Sequence, residues 1–395
     1  MASIASVTDG EAGPTIGRWR ERWLQWRDRW LASAAFQRRA ARLPLVRRIA
    51  RRRAAQVFDL VAGFVYSQVL LACVRVRLFD LLAEQPLPLG TVAARTGLPP
   101  EAALRLLDAA VALRLVERRR GERFGLGVLG APLVGNAAVA AMVEHHSLLY
   151  ADLADPVALL HGQPRSTALA HHWPYAGATD PRSASREQVA TYSALMAASQ
   201  PLVADAVFEA LDLDAHRCLL DVGGGDGSFI VAAAARAPRL RFLHFDLPAV
   251  VEHATYNFAR HGLRDRVQVT SGSFVDDALP RGADIVTLLR VLHDHDDDRV
   301  KRLLGAVFDA LPPDGTVLVA EPMAETPGAE RMGHAYFGFY LLAMGRGRPR
   351  SAQRLRELLM DSGFVDVHLV TTAQPLQCQV LRAMRPSAKT LNAKT

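Results

Sequence analysis

A short apolar run, Cys218-Leu219-Leu220-Asp221-Val222, passes directly into Gly223-Gly224-Gly225-Asp226-Gly227, and a helical pattern starts at Ser228. A turn that tight at the end of a strand demands residues without a Cβ, and it lets a nucleoside-like ligand approach the backbone where a helix begins. The spacing is G-x-G-x-G rather than G-x-G-x-x-G. It favours an adenosyl sulfonium over a dinucleotide, because a donor without phosphates has less need of a long phosphate-cradling turn. The next strand-like run ends in Asp246, 21 residues after Gly225, about where an acid that hydrogen-bonds both ribose hydroxyls should lie. A third run is followed by Gly272-Ser273-Phe274, which offers an aromatic ring to stack on or beside adenine.

The run Arg290-Val291-Leu292-His293-Asp294-His295-Asp296-Asp297-Asp298 follows a fourth strand. Its imidazoles and carboxylates suit three roles: a general base, a divalent metal site, or the N-cap of the helix RVKRLLGAVFDAL. We expect His293 to be a base, the later acids to cap the helix, and no metal to be held.

These residues need a frame. From residue 216 on, CLLDV (218–222), RFLHFD (241–246), VQVT (267–270), ADIVTLL (283–289) and GTVLVAE (315–321) read as strands, and helical stretches separate most of them. That alternation marks a mainly parallel sheet with helices on both faces, an α/β fold. Ligands bind such sheets at the carboxyl ends of the strands, where the glycine turn and the His293 cluster fall. Residues 136–215 read as mostly helical, with a loop near 171–183. The pairs His145-His146 and His171-His172 cannot share a helical face, so no metal site is expected from either. The segment 89–117 followed by RRRGERFGLGVLG reads as a small winged helix with Gly121 at the wing turn. Its candidate recognition helix sets Glu101 and Asp108 against Arg105 and Arg114, a poor surface for DNA.

The array DVGGGDG, FDLP, GSF, RVLHDHDDD and AEP resembles the small-molecule O-methyltransferases typified by plant caffeate and isoflavone enzymes and their bacterial relatives. The resemblance spans about residues 60–385. It implies a Rossmann-like S-adenosyl-L-methionine domain, with a seven-stranded sheet, behind a helical winged-helix-like dimerisation domain, and hence a homodimer. It maps the base onto His293, with Asp294 and Glu321 as its catalytic companions. The cofactor-binding set it implies is Asp221, Gly223, Gly225, Gly227, Asp246, Ser273, Phe274 and Arg290. Three positions depart from the pattern: Ser273 stands for the usual Asp, His295 for the usual Trp, and Pro349 for one of two acids that frame the base. They imply a substrate other than a typical phenol. The run ARRRAAQVFDLVAGFVYSQVLLACVRVRLFDLLAE and the GRGRPRS segment are similar to one branch, the hydroxyneurosporene (demethylspheroidene) enzymes of carotenoid synthesis. Those methylate a tertiary hydroxyl on a long hydrocarbon. Phenol, quinol or polyketide methylation is the alternative substrate reading, and a DNA-binding regulator that senses the cofactor is the alternative class.

The 395 residues, half of them apolar, exceed one ordinary core. We expect an arm over 1–57, a dimerisation domain over 58–145, a helical linker over 146–200 and a catalytic domain over 201–395. The net charge of +7 is uneven, since 13 arginines against four acids give +9 to residues 1–57 and leave −2 for the rest. A basic arm on a near-neutral body argues against a nucleic-acid groove through the core. Trp19, Trp23, Trp26 and Trp30 share one helical face among arginines, the pattern of a helix lying in a membrane interface or docked on protein. The 15 uncharged residues Leu60–Val74 are short of the roughly 20 that span a bilayer, and a buried core helix is expected there. Three scattered cysteines without a Cys-x-x-Cys pair indicate neither zinc knuckle nor disulfide framework. No signal peptide pattern stands in the first 17 residues, and a cytoplasmic enzyme, peripheral at the inner or photosynthetic membrane, is expected. Tyr336, Phe337, Phe339, Tyr340, Leu341 and Met344 suit either an apolar tunnel or a helix core.

Overall fold

The computed structural model describes residues 14–163, 166–172, 200–201, 203–370, 372–373, 375 and 378–387. Most of the expected loop at 171–183 lies outside them. The chain divides into two units, Met1–Ala131 and Pro132–Thr395.

The first unit opens with three successive helices, α1 (Pro14–Ala32), α2 (Ala34–Arg42) and α3 (Pro44–Arg75). Pro44 sits at the first helical position of α3, where its missing N–H costs nothing. Arg77, in the left-handed region at φ 53, then breaks the chain direction before α4 (Leu78–Ala83). The winged unit follows: β1 (Leu87–Pro88), α5 (Leu89–Thr96), α6 (Pro100–Ala112), β2 (Val116–Arg119) and β3 (Arg123–Leu126), with sheet order β1-β3-β2. Gly121, at φ 69, makes the wing turn.

One expectation changes here. The stretch at 60–74 is not a buried core helix within the single chain. It is part of a 32-residue helix that outruns the small body it packs on, burying Leu71 and Cys73 near its end but leaving Val57, Phe58, Leu60, Val61 and Phe64 exposed. By length and composition, Val46–Arg75 is apolar enough to cross a membrane. The tryptophan face is also open: Trp19 is 71% exposed and Trp30, edge-on to Phe36, is 48% exposed.

The second unit begins with α7 (Ala137–Asp152), α8 (Pro156–Leu160) and α9 (Ala168–His172). Then come β4 (Cys218–Val222), α10 (Ser228–Arg236), β5 (Arg241–Asp246), α11 (Pro248–Arg260), β6 (Val267–Ser271), β7 (Ile285–Leu289), α12 (Asp297–Ala310) and β8 (Thr316–Glu321). A π-helical turn, Arg331–Phe337, runs into α13 (Gly338–Met344), followed by α14 (Ala352–Asp361), β9 (Val365–Val370) and β10 (Gln379–Met384). The seven strands lie in the order β6-β5-β4-β7-β8-β10-β9, parallel except for β10, which runs antiparallel to both neighbours.

The central strands β4, β7 and β8 are buried on both faces and are mostly apolar. Alternation along each strand still sorts the side chains. Leu220, Val222, Val286 and Leu288 meet Val300, Leu303 and Leu355 from α12 and α14 on one face. Leu219, Ile285, Leu289 and Phe242 meet Phe229, Ile230 and Phe258 from α10 and α11 on the other. Tyr340, Leu341 and Met344 belong to a separate cluster with Leu149, Leu159 and Leu169, as helix core.

Candidate active site

Strand order reverses at β4, which pairs with β5 on one side and with β7 on the other. The glycine turn leaves the carboxyl end of β4 and the His293 segment leaves the carboxyl end of β7, so the two lie side by side at the switch point of the sheet.

Gly223, Gly225 and Gly227 take φ of 69°, 60° and 78°, a region that a Cβ disfavours. A Cβ on Gly227 would run into the Phe258 ring, whereas one on Gly225 would point into open space. The Gly223 N–H donates to the Phe245 carbonyl at 2.8 Å, which fastens the turn to β5. Asp246, at the end of β5, closes the cradle: Oδ2 accepts from the Gly225 N–H at 2.8 Å and Oδ1 from the Leu247 N–H at 2.7 Å. Burial pushes its carboxyl up to about 6, against the pull of those two donors. His244 lies 3.0 Å from the Gly225 carbonyl through Nε2. Burial pushes it down to about 4, so the ring is neutral and its Nε2–H donates to that carbonyl.

Asp221 is buried beneath the turn. Its Oδ1 accepts from the Thr287 hydroxyl at 2.7 Å, and its Oδ2 has no hydrogen-bond partner among the described residues. Burial raises its carboxyl to about 7, the Thr287 bond notwithstanding. A buried carboxylate oxygen without a donor is costly. Together with Asp246, and with no basic side chain in the 223–227 turn, it makes an acceptor set suited to a cationic adenosyl ligand rather than to a phosphate.

Ser273 is buried and serves its own turn. Its N–H donates to Asp277 Oδ2 at 2.8 Å, and its hydroxyl accepts from the Val275 N–H at 3.3 Å. Phe274 packs partly against the core and meets His295 edge-on, with centroids 5.0 Å apart. Arg290 sits at φ 57 at the end of β7. Its N–H donates to the Ala320 carbonyl at 2.8 Å, and its guanidinium donates to Gln200 Oε1 at 2.6 Å.

His293 stands on a single 3-10 turn, Leu292–Asp294, and is 8% exposed. Nε2 lies 3.1 Å from Asp294 Oδ1 and Nδ1 lies 3.4 Å from Glu321 Oε2. These are ion-pair contacts rather than aligned hydrogen bonds, whereas the His293 backbone N–H does donate to Glu321 Oε2 at 3.1 Å. Burial works against the imidazolium, but Asp294 and then Glu321 outweigh it and push the ring up to about 10. Phe337 closes another side, its ring centroid 6.1 Å from that of His293. Pro349 stands where the family pattern has a second acid, and the carboxylates of Asp294 and Glu321 both lie within 3.4 Å of the ring.

The acids after His295 lie at the start of α12 as expected, with Asp297 and Asp298 in its first turn, but the side-chain bonds differ. Asp296 occupies the N-cap of α12 but makes no side-chain cap bond. Asp297 gathers Arg348, Arg350 and Arg354 at 2.7, 2.8 and 2.9 Å, which hold its carboxyl far below the usual range despite some burial. Three guanidinium groups are stronger partners than helix N–H groups, and they arrive from positions 51 to 57 residues further on. Among the described residues no group of His, Cys, Asp and Glu is placed to hold a metal ion. The histidine pair on α7 is spent on tyrosines: His145 Nε2 lies 2.7 Å from the Tyr340 hydroxyl and His146 Nε2 2.7 Å from that of Tyr336.

Sequence reasoning passed over His244, Thr287 and Arg350. His244 and Thr287 carried a signal in the strand period. Polar residues at alternate positions of apolar strands point to the face of Asp246 and Asp221. Arg350 had none beyond the unusual composition of GRGRPRS.

The doubly wound sheet and the glycine–acid cradle beside a buried imidazole define a class. A model of the O-methyltransferase domain matches residues 150–365, and one of the O-methyltransferase dimerisation domain matches 58–143. The chain belongs to the S-adenosylmethionine-dependent O-methyltransferase family. It is 45% identical to the demethylspheroidene O-methyltransferase of Cereibacter sphaeroides over 359 residues, covering 90% of this chain and 93% of that one. It is 41% identical to the enzyme of the same name from Rhodobacter capsulatus, covering 87% and 85%. In fold it is similar to human N-acetylserotonin methyltransferase solved with S-adenosylmethionine, with a TM-score of 0.68 at 24% identity over 85% of this chain and 98% of that one.

Proposed function

We propose that the chain methylates the tertiary hydroxyl of an acyclic hydroxycarotenoid, with His293 as general base. The observation that carries the substrate is the 45% identity, over nine-tenths of the chain, to a demethylspheroidene O-methyltransferase. S-adenosylmethionine supplies an electrophilic methyl group on a sulfonium. Asp246 and the backbone of the 223–227 turn hold its adenosyl part, Asp221 supplies the unpartnered carboxylate oxygen beneath, and Phe274 with His295 forms an aromatic wall.

A tertiary alcohol has a pKa near that of water, ~16, roughly 9–10 units above ordinary imidazole, or about 13 kcal/mol. With His293 raised to about 10, the gap shrinks to roughly 6 units, or about 8 kcal/mol. That is still too much for a preformed alkoxide. The proton therefore moves to His293 while the methyl group is in transfer, and orientation in the buried site supplies most of the acceleration. Asp294 and Glu321 stabilise the imidazolium that forms.

The dimerisation domain supports a homodimer. The exposed Trp–Arg face of α1 supports a peripheral position on an anionic membrane, where a carotenoid is dissolved. Incubation with methyl-labelled cofactor tests the assignment, with a detergent-dispersed 1-hydroxycarotenoid and a catechol side by side. Label in the carotenoid supports it, and label in the catechol alone sinks it.

A further inference from the structure

The base must be held at a fixed angle, and among the described residues its ring meets Asp294 and Glu321 as ion-pair contacts at 3.1 and 3.4 Å, which leave Nδ1 without an aligned hydrogen bond. The backbone around it is held instead, by the segment 345–351. Gly347, at φ 84, lets this strap lie flat on the base, since a Cβ there would collide with the His293 carbonyl and touch the Asp294 backbone. The Arg348 N–H donates to that same carbonyl at 2.9 Å. Arg350 is the anchor, with a side chain 1% exposed. Its Nη1 donates to the Leu292 carbonyl at 2.8 Å and its Nη2 to the His295 carbonyl at 2.6 Å, so one guanidinium grips the turn on both sides of His293 and Asp294. Nε and Nη2 also donate to Asp297 Oδ1 at 2.9 and 2.8 Å, which neutralises the buried charge. The strap is tied to the other partner of the base as well. The Ala324 N–H, three residues past Glu321, donates to the Arg350 carbonyl at 2.8 Å, and Ala324 bridges Ser351 in parallel.

We propose that Arg350, with Gly347, is a positioning element for the methyl-transfer step: it sets the His293 ring against Glu321 through the backbone, in place of a side-chain acid from this segment. This rests on His293 being the base. A planar five-donor fork is required, because a lysine ammonium can pair with Asp297 but cannot also span the two carbonyls.

The test uses the full-length chain and three variants, with kcat expressed per cofactor-binding site. Arg350→Lys keeps the charge. It should lose about 100-fold in kcat, the scale of a misplacement of about 1 Å, while cofactor Kd and acceptor KM stay within about threefold, and the pH midpoint of kcat should fall by about one unit or more as the Glu321 contact loosens. Gly347→Ala should act in the same direction without touching a charge, and it decides the matter if Arg350→Lys does not fold. A structural role would lower the folded fraction but leave kcat per site and the midpoint alone. That result overturns the inference, as does failure of both variants to fold. His293→Gln separates the two claims. Full activity in His293→Gln removes the base itself. An inactive His293→Gln beside wild-type kcat and midpoint in the other two removes only the strap.

Discussion

Replacing Glu321 by Gln probes how the base is tuned. The amide keeps an oxygen to accept the His293 N–H and removes the charge 3.4 Å from Nδ1. At an effective dielectric of about 20, a unit charge at that distance is worth about 5 kcal/mol, or between three and four pKa units. Asp294 is the stronger of the two partners, and burial opposes both. The expected fall in the His293 midpoint is therefore about two to three units, from about 10 toward 7 or 8. The sign follows from the proton that must leave. Wild-type kcat should climb with pH through neutrality toward a midpoint near 10, because only the unprotonated ring accepts a proton. Glu321→Gln should level off well below that. Methyl-label transfer at saturating cofactor and acceptor, measured from pH 6 to 10.5, reads both curves, and their shape is diagnostic whatever their height. A wild-type profile already flat above pH 7, or a variant midpoint that does not move down, would refute the reasoning.

Stability should carry the same titration: the folded state binds the His293 proton more tightly than the unfolded chain, so its contribution is whole below about pH 6.5 and is lost as pH rises toward 10. Urea midpoints should decline over that window, and less steeply in His293→Gln. On the acid side, His244 and His295 are held neutral down to about pH 4, so stability should fall below pH 6.5 by up to about 3 kcal/mol for each; His244→Gln should flatten that acid limb, and an unchanged limb would count against the buried ring. Gly227→Ala should cost about 3 kcal/mol or more, since its Cβ meets the Phe258 ring at a positive φ, and Phe258→Leu in the same chain should recover part of it by chemical denaturation. Deleting residues 1–43 should reduce co-sedimentation with phosphatidylglycerol vesicles at least about tenfold at low salt; a full-length chain that ignores such vesicles removes the membrane reading of the tryptophan face.

Local patterns were legible wherever chemistry depends on neighbours in the chain. The five strands from Cys218 to Glu321 announce themselves by apolar runs, because a sheet buried on both faces tolerates little else. The glycine turn is readable because positive φ and close approach permit few residue types. Asp246 and Glu321 are readable because each ends a strand, and His293 because it follows one, so all three fall at the carboxyl edge that must line the same crevice. The exposure of α3 was not legible: 15 uncharged residues look the same in a core helix and in one that outruns its body. The arginine partners of Asp297 were hidden for a similar reason: it stands in the first turn of α12 as expected, but its partners are at 348, 350 and 354.

By itself, then, the sequence determined the tight glycine turn with its strand-end acid, the alternation that builds the sheet and the imidazole expected beside them, since these follow from backbone conformation and side-chain type within a few residues. Only the tertiary structure decided the state of that imidazole. Its proton affinity is a balance between burial and two carboxylates, one adjacent in the chain and one 28 residues on, and Coulomb energies depend on distance in space, which no spacing along the chain records.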